Sequence, residues 1–146
     1  MGINPLVSML SYIGEQSGLG VEVRVLYGVK DPGVCEGEGE RVLFLERMAG
    51  LFESGRVKGG LRLFLTGGGD PTVSGDVVRC SSGVEVPFAR RRITLGDVEE
   101  AVGGDKEASV VYVCGVPSMT DEFVEALVSP EGFGMEKRRV LFEKWW

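Results

Sequence analysis

"ASVVYVCGVPSMTDEF", residues 108–123, passes from a nearly unbroken apolar run with β-branched residues, through Gly115 and Pro117, into positions spaced as on a helix. The apolar part, 108–115, predicts a strand buried on both faces, as in a parallel sheet, and the rest predicts a helix entered without a long connection. Ser118, with Asp121 three residues later, predicts the cap of that helix, which buries Met119, Phe123, Ala126 and Leu127. A strand that turns straight into a helix asks for further strand–helix units on either side.

Those units are found by working outward. Thr94 with Asp97 predicts a short capped helix through Val102, and "RRVLFEKWW", 138–146, predicts a final strand. "LRLFLTGGG", 61–69, predicts a strand ending in a glycine turn, and between Glu40 and Ser54 the residues Val42, Leu45, Met48, Ala49 and Phe52 share one helical face, closed by Gly55. "VEVRVLYG", 21–28, predicts a strand. A first helix over 5–16 is predicted from Leu6, Met9, Leu10 and Ile13, with Asn4 placed to cap it, Pro5 in its first turn and Gly18 beyond its end. "DPGVCEGEGE", 31–40, is too rich in glycine and charge to pack, and the polar stretch from Gly67 to Arg92 reads either as a functional loop or as disorder. Alternating helices and short strands without a tight hairpin signal predict one α/β domain over 1–146, with a mainly parallel sheet. In such folds ligands lie beyond the carboxyl ends of the strands. That rule selects Gly28 to Lys30, Thr66 to Gly69, Cys114 to Ser118 and the Gly2 to Pro5 entry into the first helix.

Composition narrows the chemistry. The 146 residues carry 22 acidic and 16 basic side chains, a net charge of −6 that disfavours nucleic acid as a partner. No apolar run is long enough to cross a bilayer, so no membrane span is expected. Cys35, Cys80 and Cys114 are widely spaced and odd in number, which fits a reducing intracellular compartment, cytoplasmic or mitochondrial, and no targeting segment is visible. The absence of histidine removes Ser-His and Cys-His catalysis and histidine-ligated metals, and no metal site is expected.

Single motifs carry two readings each. "GINP", 2–5, leaves free N–H groups and the positive end of a helix dipole for an anion such as a pyrophosphate, or is simply a cap. "CGVPS", 114–118, sets a small thiol and a glycine beside a possible ligand, or buries an inert cysteine; with no histidine to generate a thiolate, nucleophilic chemistry is not expected of it. "ARRRIT", 89–94, is a solvated basic loop or a phosphate clamp. The two adjacent tryptophans of "EKWW" point to opposite faces of a strand, one able to pack and one free to stack on a planar partner.

Together, "GINPLVSML" (2–10), "VLYGVK" (25–30), "VYVCGVPSMTDEFVEAL" (111–127) and "FEKWW" (142–146) resemble, in order, four markers of the pyridine-nucleotide-binding half of the ferredoxin reductase superfamily. Within it they most resemble the oxidoreductase NAD-binding domain-containing proteins. The resemblance covers the whole chain and implies a Rossmann-like sheet with flanking helices. It implies NAD(H) or NADP(H) as cofactor, with Gly2, Ile3, Asn4 and Pro5 beside the phosphates and Gly28 and Thr66 on the adenosine side. Cys114, Gly115 and Met119 would border the nicotinamide and its ribose. Cys114, Glu143 and Trp145 would position the nicotinamide against a flavin, so that hydride passes from C4 to flavin N5.

Departures from the family pattern shape what is expected here. Val116 stands where the family has proline, one place before Pro117. Gly67 follows Thr66 in place of the Ser-Arg pair that holds a 2′-phosphate, which leans toward NAD, with Arg90 to Arg92 as a possible replacement. Met1 occupies the middle of the family's G-G-x-G loop, so the central first strand of a 3-2-1-4-5 sheet and the flavin-binding domain are expected to be missing. FAD would then come only from a missing N-terminal domain or a flavin-bearing partner chain. The alternative is a non-catalytic, truncated nucleotide-binding or protein-interaction module.

Overall fold

Leu63, Phe64 and Leu65 are consecutive and all almost fully buried, at 0%, 0% and 2% exposure, so the strand that holds them is covered on both faces. It is the centre of the first sheet in this computed structural model, which describes residues 3–16, 18–31, 42–67 and 77–145. The elements are α1 (Asn4–Glu15), β1 (Glu22–Lys30), α2 (Leu45–Glu53), β2 (Lys58–Thr66), β3 (Val77–Arg79), β4 (Glu85–Ala89), α3 (Leu95–Val102), β5 (Val111–Gly115), α4 (Pro117–Val128) and β6 (Val140–Lys144), with a 3-10 turn at Lys137–Arg139. The chain divides into two compact units, Val7–Ile93, and Met1–Leu6 with Thr94–Trp146.

In the Val7–Ile93 unit the sheet order is β1-β2-β4-β3. β1 and β2 run parallel in register from Glu22↔Lys58 to Lys30↔Thr66. β4 adds to the other side of β2, also parallel, through Leu63↔Phe88 and Phe64↔Ala89. Backbones come closest at Gly59, whose φ of +127° suits glycine and where a Cβ would run into the Val23 carbonyl. α2 packs on β2, burying Leu45, Met48 and Ala49, with Val42 just ahead and Val57 just behind. On Phe64 the guanidinium groups of Arg62 and Arg91 lie over the ring, each 5.2 Å from its centre.

Two expectations change in this unit. Residues 77–89, expected as functional loop or disorder, hold an antiparallel hairpin, β3 with β4, paired from Val77↔Pro87 to Arg79↔Glu85. Its turn closes through Gly83 N–H to Cys80 O at 2.9 Å and Cys80 N–H to Val84 O at 2.7 Å, and Glu46 of α2 accepts the Ser81 N–H at 2.7 Å. Three paired positions, with Arg79 and Glu85 facing solvent, give too short an alternation to see in sequence; residues 68–76 lie outside the described residues. α1 forms as expected, with Leu10 buried and Leu6 and Ile13 half-buried, but Val7 takes the buried place expected for Met9, which is 37% exposed. Apolar residues at 6, 7, 9 and 10 surround that helix, so spacing alone could not choose the face.

In the second unit β5 and β6 form a two-stranded parallel sheet, in register from Val111↔Val140 to Gly115↔Lys144. α4 packs on both strands. The capping box opens α3 as expected: Thr94 Oγ1 accepts the Asp97 N–H at 3.3 Å and Asp97 Oδ2 accepts the Thr94 N–H at 2.7 Å. α4 differs. Pro117, with its φ already set for a helix, begins it with Val116 as the uncapped entry, so Ser118 lies inside the first turn. Asp121 pairs instead with Lys144 Nζ at 2.6 Å.

β5 also corrects an expectation. Only Val113 is buried, and its four neighbours in the strand are half-buried. A continuous apolar run signals burial on both faces only when both faces and both edges are covered. Among the described residues β5 pairs with β6 and packs against α4, and the run is apolar without being fully enclosed. Among the described residues β1 pairs with β2.

Candidate functional site

Side chains alternate along a strand, and partners in a parallel register share a face. Val111, Val113, Gly115, Val140, Phe142 and Lys144 therefore form one face of the β5–β6 sheet. That face meets α4, as the Lys144–Asp121 ion pair and the seating of Met119 against Gly115 show. Tyr112, Cys114, Leu141, Glu143 and Trp145 form the other face.

On that second face the polar groups are paired. Trp145 donates its indole N–H to Cys114 Sγ at 2.9 Å, and its backbone N–H bonds Gly115 O at 2.9 Å, which fixes the indole just beyond the strand. Tyr112 donates its hydroxyl to Glu143 Oε2 at 2.9 Å. Burial pushes the Cys114 thiol above its ordinary value; the Trp145 N–H pulls it back in part, and the Glu143 charge raises it. Burial together with the Glu143 hydrogen bond and charge pushes the Tyr112 phenol up to about 12. Both groups hold their protons at neutral pH. The cluster therefore offers an indole, a neutral thiol and a carboxylate fixed by its neighbour, which can hold and orient a planar polar ring. A thiolate nucleophile is not among its resources.

Cys114, Glu143 and Trp145, selected from sequence, are thus brought together by one register, Cys114↔Glu143, and one hydrogen bond. Gly115 and Met119 lie at the same strand end, on the α4 side. Ile3, buried at 5%, and Asn4 and Pro5, at the start of α1, belong to the same compact unit; Gly2 and Trp146 lie outside the described residues. Tyr112 was missed. Its signal is its place two residues before Cys114 in a strand, hence on the same face.

Gly28 and Thr66 lie in the Val7–Ile93 unit, at the carboxyl ends of β1 and β2. Thr66 Oγ1 donates to Val29 O at 3.4 Å, and Asp31 N–H bonds Thr66 O at 2.8 Å. Gly28 lies against Ile93, whose Cδ1 would be 3.3 Å from a Cβ there. Arg90, just past β4, reaches the same edge and pairs with Asp31 at 2.7 Å. Arg91, over Phe64, also donates to Arg92 O at 3.1 Å. Two of the three arginines of "ARRRIT" are therefore engaged within the unit. A cavity of about 390 Å³ between α1 and α2, lined by Ser11, Glu15, Arg47 and Arg56 among others, includes none of these residues.

The architecture is that of an α/β protein with mostly parallel strands, compatible with a Rossmann-like fold. The chain is similar over its whole length to two curated proteins, each named oxidoreductase NAD-binding domain-containing protein 1. One, from Xenopus tropicalis, is 30% identical over 161 aligned residues, and one, from Bos taurus, is 26% identical over 155; each alignment takes in 100% of this chain and 43% of the relative. The chain thus spans less than half the length of the curated relatives it matches. These are the proteins that the four motifs resemble. No family model matches the chain, and no solved structure matches it. Among the described residues no helix is long and apolar enough to cross a membrane.

Proposed function

We propose that the chain is the NAD(P)H-binding part of a flavin-dependent oxidoreductase, a pyridine-nucleotide-binding domain over residues 1–146 that positions the nicotinamide for hydride transfer. The observation that carries this reading is the shared face of Cys114, Glu143 and Trp145, held by the 2.9 Å bond from Trp145 Nε1 to Cys114 Sγ. The relatives' printed name, with its NAD-binding domain, supports it. The residues present fit a nicotinamide. An indole edge, a small thiol and a carboxylate acceptor together suit a flat ring that carries a carboxamide donor. When bound, the dinucleotide supplies a hydride from C4 of its reduced ring, which an oxidised flavin on a further domain or partner chain accepts at N5.

This chain's residues bind and orient. Trp145 and the neutral Cys114 thiol would bound the ring on this face, and Tyr112, donating to Glu143, would hold the carboxylate toward it. Met119, against Gly115, backs the strand end from the other face. In the Val7–Ile93 unit Gly28 and Thr66 border the adenosine side, and at the start of α1 Ile3, Asn4 and Pro5 stand by the phosphates. No proton is moved at C4, which suits a cluster whose thiol and phenol both stay protonated. The rate gained is that of orientation.

The test is a titration of the chain with NADH and with NADPH, read by energy transfer from tryptophan to the reduced nicotinamide, with alkylation of Cys114 followed in parallel. Saturable binding that slows Cys114 alkylation is expected. Failure of both dinucleotides to bind, or binding that leaves Cys114 alkylation unchanged, would sink the reading.

A further inference from the structure

Within the Val7–Ile93 unit, α1 and α2 enclose a groove of about 390 Å³. Ser11, Gly14 and Glu15 face it from α1, and Arg47, Gly50 and Leu51 face it from α2. Both sets follow the same spacing of three and then one residue, so a single stripe of each helix forms a wall, and Ser54 and Arg56 close the end. The helices touch where Gly14 meets Leu51: a Cβ on Gly14 would stand 3.0 Å from Leu51 Cδ2 and 3.6 Å from Val57 Cγ2. Val57 immediately precedes β2, so the groove lies by the amino end of that nine-residue strand, roughly 30 Å along it from Thr66. Gly28 and Thr66, proposed to border the dinucleotide, are at the opposite end of the sheet.

Two guanidinium groups border this groove without an acid paired to them. Arg47 Nη2 donates to Ser11 Oγ at 2.9 Å, which holds it across the two helices with its other N–H groups unspent. Among the described residues Arg56 makes no hydrogen bond or ion pair, and Glu15, on the α1 wall, pairs with neither arginine. Gly50 adds a second observation. A glycine inside a helix weakens it, and nothing lies within 4 Å of where its Cβ would stand. Close packing does not require glycine there; what the missing side chain leaves is the space of the groove. The lining is of mixed sign, because α1 and α2 both end here and bring the negative ends of their dipoles beside Glu15. A bare anion is attracted by the arginines and repelled by the rest. A ligand with hydroxyl donors of its own satisfies both, and two guanidinium forks match the charge of about −1.5 to −2 that a phosphate monoester carries at neutral pH.

We propose that the groove between α1 and α2 binds a small hydroxylated phosphate monoester, with the phosphate on Arg47 and Arg56 and a hydroxyl donated to Glu15. Its volume lies at the small end of the range for sites that enclose a small molecule. Ser11 acts through Arg47 and is a positioning residue; Gly50 supplies the room. The site is distinct from the dinucleotide reading above and does not rest on it.

The test is a calorimetric titration of the complete 146-residue chain with glycerol 3-phosphate and, separately, with inorganic phosphate. The wild type is expected to bind the ester with a dissociation constant below about 1 mM and inorganic phosphate at least about threefold more weakly. Arg47→Gln and Arg56→Gln are each expected to weaken the ester by about tenfold or more, and Gly50→Leu, which fills the groove and favours the helix, to abolish its binding. Glu15→Gln is expected to remove the preference for the ester over inorganic phosphate. A wild type that does not bind the ester, or a folded Gly50→Leu protein that binds it unchanged, overturns the proposal. If Gly50→Leu does not fold by circular dichroism, the arginine variants decide: unchanged binding in both overturns it. Inorganic phosphate bound as tightly as the ester overturns the ligand class. Saturating ester is expected to leave NADH binding unchanged, and displacement of NADH would overturn a separate site. Protein that binds the ester but neither dinucleotide removes the dinucleotide reading and leaves this one standing.

Discussion

The Tyr112 hydroxyl reaches Glu143 Oε2 at 2.9 Å because the parallel register sets Cys114 opposite Glu143 and so places Tyr112 one pleat back on the same face. With its phenol pushed up to about 12, Tyr112 binds its proton more tightly in the folded chain than in the unfolded one. The sign follows from linkage. Stability from this group is fully present below the unfolded value near 10 and is lost as pH rises through about 12. The loss is on the order of 1–2 kcal/mol once the solvent reaching the pair is allowed for. Ultraviolet titration of tyrosinate checks it. A late step near 12 is expected in the wild type and its disappearance in Tyr112→Phe; a late step that survives in the variant would assign it to another tyrosine.

Trp145 lowers the Cys114 thiol against burial and the Glu143 charge, which raise it. Trp145→Phe removes the indole N–H and keeps an aromatic ring. The midpoint of Cys114 alkylation against pH should move upward, because the variant lacks the hydrogen bond that favours the thiolate. Mass spectrometry of the peptide that carries Cys114 separates it from Cys35 and Cys80. A midpoint that stays put or falls would mean that the indole acts on the thiol only by covering it.

Two glycines on strands should respond in opposite ways to the same added methyl. At Gly59 a Cβ meets the Val23 backbone and φ is +127°, so Gly59→Ala costs backbone strain of about 1–3 kcal/mol together with the displacement of β1. At Gly115 the Cβ meets only the far end of Met119, which can rotate, so Gly115→Ala should cost less than about 1 kcal/mol. Urea unfolding of both variants checks the contrast. Equal losses would show that β5 is held as rigidly against α4 as β2 is against β1.

Phe64 is fully buried and carries two guanidinium groups over its ring. Phe64→Ala removes the ring from the central strand and leaves Arg62 and Arg91 without it, at a cost of about 3–5 kcal/mol. Phe64→Leu keeps most of the volume and should cost about half as much. Denaturant midpoints that fall equally for the two variants would show that the cation–ring contacts, rather than the filled volume, stabilise this strand.

Much of the fold was legible wherever a local rule acts within a few residues. Thr94 and Asp97 wrote the capping box of α3, Gly55 closed α2 with a φ of +72°, and Val42, Leu45, Met48 and Ala49 pointed inward as their spacing required. The candidate site was legible in part, since Cys114, Glu143 and Trp145 were selected by resemblance and then brought to one face by a register. Tyr112, Asp31 and the Asp31–Arg90 pair were not legible. Residues 31 and 90 are far apart in the chain, and no local pattern says which strand ends share an edge.

By itself the sequence determined the four helices, the strands at 21–28, 61–66, 108–115 and 138–146 to within a few residues, and the α/β class, because capping, periodicity and glycine turns are short-range. That Val7 rather than Met9 is buried on α1, that 77–89 is a hairpin, that Pro117 rather than Ser118 starts α4, and that β5 is only half-buried outside Val113 were decided by tertiary structure. Each depends on what packs against the element. Burial, register and ion pairing are properties of two surfaces meeting, and the sequence of either surface alone does not contain the other.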